Sequence, residues 1–325
     1  MRSTTVLKAF GAGAFAATAA TLVAERLMLR RVAATPAPPG WRNPTWPAGT
    51  QVMVPTDDGA ELLVETTGPD DGRTVMLIHG LSGDHHSLGL VATGLAARGF
   101  RVIGLNQRGH GGSTVGTEGF GPARQGVDVG QVLAALDLHD VTLVGHSMGG
   151  LASMCLMTLR PETGAERVAS LVLVATLAEA VRSDRQKGLQ IGETNFYRGL
   201  AQHPVHGPAL ARAIFGRTPS RAMLDDVMAV GLRCPLETRI GAALGMIGYD
   251  IRDKLSHIDR PTTVICGTRD LLTKPRENRD IAAAIPGASF VSVPDAGHMI
   301  IWEDPAAIID AVSDLAGANR TSTNA

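Results

Sequence analysis

A serine hydroxyl attacks a carbonyl at neutral pH only when a base lies within hydrogen-bond reach and a third group orients that base. One residue of each type stands out in this chain. Ser147 occupies the centre of Gly145-His146-Ser147-Met148-Gly149-Gly150, with a glycine two residues to either side. Asp270 closes Cys266-Gly267-Thr268-Arg269-Asp270, and His298 closes Pro294-Asp295-Ala296-Gly297-His298. The order Ser, Asp, His along the chain is one of the known solutions for a nucleophile, an orienting acid and a general base. Two neighbours compete for these roles and fit them less well. Asp295 is too close in sequence to reach across to the His298 ring, and His146 points away along the chain from Ser147. Acyl transfer also needs two N–H donors for the oxyanion. The residue after the nucleophile, Met148, supplies one, and Leu81 in Ile78-His79-Gly80-Leu81 is the candidate for the other. Asp84-His85-His86 has metal-ligand residue types, but its spacing matches no zinc motif and no further ligands stand nearby, so neither a metal nor a cofactor is expected.

Three such residues converge only if strands deliver them to one edge of a sheet. Val141–Val144 is a short β-branched run, and the residues after the serine are apolar with helical character, so a strand, a tight turn and a helix surround Ser147. Glycines let the two elements approach closely while the serine takes a strained backbone conformation. Further strands are expected at 51–55 and 61–66, joined by the Asp58-Gly59 turn, and at 74–78, 101–105, 169–175, 262–266 and 289–293. Leu88, Val91, Ala92 and Leu95 have helical spacing, as do Val129, Val132, Leu133 and Leu136, and Ile308, Ile309, Val312 and Leu315. A helix is also expected at 275–285. Alternating strands and helices predict an α/β fold, a mostly parallel sheet covered by helices on both faces. Residues 176–259 interrupt the alternation with helical signals, which predicts a cap above the carboxyl edge of the sheet. Met223, Leu224, Met228, Leu244, Met246 and Ile247 would form either an apolar wall for an acyl chain or the core of the cap.

The ends of the chain differ from its middle. Arg2 and Lys8 precede sixteen uncharged residues at 9–24, and Glu25, Arg26, Arg30 and Arg31 follow. Residues 1–31 are therefore expected to be a membrane anchor or an export signal, with membrane association through residues 6–29. Positive charge on both sides leaves the orientation open. The proline-rich stretch 32–49 reads as a linker whose Trp41 and Trp46 face a membrane interface or pack on the domain. Residues 50–316 form the domain, and 317–325 a disordered tail. Lys and Arg (30) balance Asp and Glu (31), so no nucleic-acid partner is expected. The three cysteines are too few and too scattered for a disulfide framework.

These motifs together resemble the serine hydrolases of the α/β-hydrolase fold superfamily. The resemblance covers about residues 51–315. It rests on His79-Gly80, on Asn106-Gln107-Arg108-Gly109-His110-Gly111-Gly112-Ser113, on Gly145 to Gly150, on Asp270, and on His298 with Glu303 and Pro305 beyond. Many relatives have Asp where this chain has Asn106, a position that is usually structural. The elbow is similar to that of monoacylglycerol-lipase-like esterases, and it also occurs in cofactor-free haloperoxidases and carbon–carbon bond hydrolases. The resemblance implies cleavage of lipid-like or small acyl esters through an acyl-enzyme without a cofactor. Amide, lactone or carbon–carbon cleavage and perhydrolysis are alternatives with the same triad, and a ligand-binding protein on a hydrolase fold is the non-enzymatic one. Epoxide and halide chemistry is excluded, because those relatives use a carboxylate where this chain has Ser147. Tyr197 and Tyr249, in the cap, are then lining or packing residues.

Overall fold

A computed structural model describes residues 26–39, 41, 44–179 and 206–323. Eight strands form one sheet in the order β1-β2-β4-β3-β5-β6-β7-β8. They are β1 (Thr50–Pro55), β2 (Glu61–Thr67), β3 (Thr74–Ile78), β4 (Arg101–Leu105), β5 (Val141–His146), β6 (Val168–Val174), β7 (Thr262–Gly267) and β8 (Ser289–Val293). The hairpin β1–β2 joins β4 antiparallel, and all other pairings are parallel. Every strand expected from the sequence is present, within a residue or two of its expected ends.

Side chains alternate across a strand, so a sheet buried on both faces builds two cores. Met76, Ile78, Leu143, Leu171 and Leu173 join one core, with α3 (Pro122–Ala135), α4 (Met148–Leu159) and, further along, α9 (Pro275–Ala284). Val75, Leu77, Val144, Val172 and Val174 join the other. There α2 (Gly89–Ala97) and α11 (Pro305–Thr323) supply Val91, Leu95, Ile308 and Val312. β3, buried from Val75 to Ile78, and the fully buried β5 lie at the centre of the order, which places the Ser147 turn over the middle of the sheet.

Between β6 and β7 the described chain is helical: α6 (His206–Ala213), α7 (Arg221–Arg233) and α8 (Leu236–Met246). This insertion sits over loops at the carboxyl ends of the strands. Arg233 pairs with Asp84 at 2.9 Å after β3, and Thr238 donates to the Gly109 carbonyl at 3.0 Å after β4. Met223 and Leu224 pack into one core and Met246 and Tyr249 against the other, so packing accounts for these four. Tyr197 lies outside the described residues.

The linker hugs the domain. Residues 26–34 form α1, whose Val32 is fully buried. Trp41 stacks edge-on against Trp302 and donates to Asp226 of α7 at 2.8 Å, and Trp46 is buried against His85. Among the described residues no helix is long and apolar enough to cross a membrane, and residues 1–25 lie outside that set. The expected disordered tail at 317–325 needs correction, because α11 runs on to Thr323. No proline follows Pro305 in this segment, and Gly317 does not take the left-handed conformation that commonly ends a helix.

Candidate active site

β5 leads directly into the turn. Ser147 has φ 53° and ψ −117°, a conformation that a side-chain-bearing residue holds only when its surroundings impose it. The surroundings are tight. A Cβ on Gly145 would meet the Gly149 carbonyl oxygen at 2.5 Å, and one on Gly149 would collide with the Ile78 carbonyl of β3. The Ser147 N–H is tied to the Val174 carbonyl at 2.9 Å, and its own carbonyl accepts from the Thr176 hydroxyl at 2.7 Å. Both partners come from the end of β6. The hydroxyl is thereby pushed out at the N-terminus of α4, where unpaired N–H groups and the helix dipole favour negative charge.

The loop after β3 runs beside it. A Cβ on Gly80 would lie 3.0 Å from the Ser147 Cβ. Among the described residues neither the Leu81 nor the Met148 N–H donates a hydrogen bond, so the two amides expected at an oxyanion site are unspent. Ser82, next to Leu81, is also left-handed at φ 62°. Ala175 after β6 and Asp295 after β8 also have positive φ, as do Asp137 and Asp140 before β5.

His298 and Asp270 meet across the ends of β7 and β8. His298 Nδ1 lies 3.0 Å from Asp270 Oδ2, and both residues are buried. Asp270 also accepts from the Leu272 N–H (2.8 Å), the Thr273 N–H (3.0 Å) and the Thr273 hydroxyl (2.8 Å). Burial works to raise the Asp270 pKa; the His298 and Thr273 donors outweigh it and hold the carboxyl below its ordinary value. His298 is brought beside the elbow through His146, whose Nε2 lies 3.0 Å from the His298 carbonyl and whose ring centroid is 4.9 Å from that of His298. Burial first, and then His298, push the His146 pKa down to about 3. A neutral His146 therefore donates Nε2–H to that carbonyl. Among the described residues no hydrogen bond reaches the Ser147 hydroxyl; bonds of this kind often tighten only when substrate arrives. Of the rivals, Asp295 turns outward to an exposed pair with Arg269 at 2.6 Å, and His146 serves the His298 backbone.

The acidic and histidine run after β3 is occupied with structure. Asp84 caps the turn at Ser87 and pairs with Arg233, and His86 Nδ1 accepts from the Trp46 N–H at 3.0 Å. His85 bonds Glu65 and Asn106. Asn106 suits this spot because its oxygen accepts from the His85 N–H (2.9 Å) while its nitrogen donates to the Gly111 carbonyl (3.1 Å), which an aspartate cannot do. Among the described residues no cluster of three or more histidine, cysteine or acidic residues could hold a metal ion.

Sequence reasoning missed the groups that hold these pieces. Arg108, fully buried, binds Asp128 through two bonds (2.6 and 2.8 Å), Asp58 through two more (3.1 Å each) and the Gly119 carbonyl (2.7 Å). The pairing holds Asp58 well below the usual carboxylate range. It fixes the loop whose Gln107 N–H and side chain grip His79 (3.0 and 2.5 Å) and whose His110 accepts from the Ser82 N–H (3.3 Å). Burial and His110 push the His79 pKa to about 3, so His79 is neutral, with Nε2 accepting from Gln107 and Nδ1–H donating to the Gly80 carbonyl at 2.8 Å. An arginine inside a glycine-rich loop was the available signal for Arg108; for Thr273 it was the place three residues after Asp270.

The comparisons agree with this architecture. The model of the alpha/beta hydrolase fold family matches residues 73–305, and the chain belongs to that family. A putative non-heme bromoperoxidase of Mycobacterium tuberculosis is 30% identical over 221 residues, 65% of this chain and 81% of that protein. A hydrolase from Pseudomonas aeruginosa superposes with a TM-score of 0.71 at 27% identity, covering 83% of this chain and 100% of the other. A thermophilic esterase from Thermogutta terrifontis superposes with a TM-score of 0.69 at 26% identity, covering 82% and 97%.

Proposed function

We propose that this chain is a serine hydrolase that cleaves carboxylic esters, lipid-like or small, through an acyl-enzyme. The observation that carries the reading is the strained Ser147 turn beside a buried His298–Asp270 pair at 3.0 Å. Ser147 Oγ attacks the ester carbonyl while His298 Nε2 takes its proton, and Asp270 keeps the imidazole oriented through Nδ1. The Leu81 and Met148 N–H groups receive the oxyanion, and His298 returns the proton to the leaving alcohol. Water, deprotonated by His298, then releases the acid and restores Ser147. The insertion is read as a cap over this site, and its reach to Asp84 and Gly109 supports that. The esterase similarity at 26% identity supports ester chemistry. The N-terminal segment is proposed either to associate with a membrane through residues 6–29 or to serve as an export signal.

The bromoperoxidase relative favours a second reading of the same site. Hydrogen peroxide in place of water would attack the acyl-enzyme and release a peracid plus free Ser147. Hydrolysis and perhydrolysis thus share every step up to the acyl-enzyme and differ in the second nucleophile.

The test is a fluorophosphonate reaction of the full chain, followed by intact mass, with Ser147→Ala alongside. One adduct on the wild type and none on the variant is expected, with ester turnover lost by about 10⁴-fold or more in the variant. A folded wild type that takes no adduct would point to the binding-protein alternative.

A further inference from the structure

Glu303 lies on α10 (Ile300–Glu303), five residues beyond His298. Its half-buried carboxylate accepts from three backbone amides on two segments, one of them the nearby histidine loop and the other 86 to 87 residues away. The Gly297 N–H, adjacent to His298, donates to Oε2 at 2.7 Å. The Arg217 N–H donates to Oε1 at 2.7 Å, and the Gly216 N–H is shared between the two oxygens at 3.1 and 3.2 Å. The same two segments are stitched twice more: Met299 N–H donates to the Ile214 carbonyl at 3.2 Å, and the Arg217 guanidinium reaches the Pro294 and Glu303 carbonyls at 3.1 and 2.8 Å. Backbone packs on backbone here, since a Cβ on Gly297 would lie 2.6 Å from the Phe215 carbonyl carbon.

This clasp has a task. Asp295, three residues before His298, is held at φ 60°, and such a conformation persists only where the surroundings over-determine it. Hydrogen bonds from amides to a carboxylate are about twice as strong as neutral ones, so the Gly297–Glu303 bond is a strong restraint on the loop carrying His298. We infer that Glu303 is a positioning residue for His298, and that its carboxylate joins the 214–217 segment of the insertion and the histidine loop into one unit. Where the insertion sits is thereby transmitted to the base. The inference rests on the reading of His298 as the general base.

The test compares wild type, Glu303→Gln and Glu303→Ala in the full chain. Turnover of a short p-nitrophenyl ester is expressed per site titrated with fluorophosphonate, and the His298 Nδ1 proton is observed as a downfield resonance in one-dimensional proton NMR. Glu303→Ala is expected to lower kcat per titrated site about 10- to 100-fold with KM little changed, and to broaden the resonance. Hydrogen exchange at 214–217 and 295–299 should quicken together. Glu303→Gln, which keeps one carbonyl acceptor, should recover part of each loss; should the alanine variant not fold, the glutamine variant carries the test. Variants with wild-type kcat per titrated site and an unchanged resonance, or a loss confined to the number of titrated sites, would overturn the inference. If the wild type itself takes no fluorophosphonate, the hydrolase reading fails, while the resonance and the exchange rates still decide the role of Glu303.

Discussion

On the elbow side of the site, Ser147 and residues 79–82 are held by steric closure and by ions: glycine backbones pressed against β3, and the buried Arg108 between Asp58 and Asp128. On the base side, His298 and Asp270 are held by hydrogen bonds: Thr273 donates twice to Asp270 and Glu303 accepts from Gly297 within short stretches of chain, while His146 donates to the His298 carbonyl from the elbow. The first arrangement tolerates almost no change of shape but does little to tune chemistry. The second is a set of hydrogen bonds around the proposed general base. A nucleophile and its oxyanion donors need a fixed location, whereas a general base needs orientation and a matched proton affinity.

Acid should reveal the largest difference. His79 on the elbow side and His146 between the two sides have folded pKa values of about 3, below the ordinary 6.5. The unfolded chain therefore takes up protons first as pH falls from about 6.5 to 3, and stability should drop steadily across that window. Asp270 adds a loss of its own lower down, because its depressed pKa gives stability that is present above about 3.8 and disappears as pH falls through the folded value. Urea midpoints measured from pH 7 to 4 should fall, and His146→Gln should flatten the slope. An unchanged slope in that variant would remove His146 from the account.

Next in size is Arg108→Met. It leaves the Asp58 and Asp128 carboxylates buried without their cation, at a cost of about 3–5 kcal/mol in urea unfolding. Activity per folded molecule should fall much less than stability does. A loss of less than about 1 kcal/mol would mean that Arg124, which also bonds Asp128 at 3.0 Å, compensates.

The smallest effect should come from Thr273→Val, which keeps the shape and removes one donor from the Asp270 oxygen that faces His298. A bond to a charged group of this kind is worth about 10-fold or somewhat more in equilibrium terms. kcat should fall by about that factor with KM nearly unchanged, and the melting temperature should drop by about a few degrees. A fall in melting temperature without a change in kcat would make Thr273 a structural residue and narrow the contrast between the two sides.

Local features were legible from residue order alone. The strand–turn–helix around Ser147 follows from short-range sterics, since a β-branched run, closely spaced glycines and an apolar helix leave little other backbone path. The alternation of strands and helices announced the parallel sheet, and the sheet in turn indicated that Asp270 and His298 end on one edge. Tertiary structure alone decided which partners complete the site. Thr273 lies three residues from Asp270 and Glu303 stands in the motif around His298, but that Glu303 also accepts from the Gly216 and Arg217 amides, 87 and 86 residues away, follows only from the fold. Arg108 could be seen as an arginine in a glycine-rich loop, but its partners Asp58 and Asp128 lie on other elements, 50 and 20 residues away. The packing of Trp41 on Trp302 and the continuation of α11 to Thr323 were hidden for a related reason. A proline-rich stretch or a polar tail looks unstructured by composition, and whether it orders depends on the surface it meets and on the absence of a residue that stops the helix.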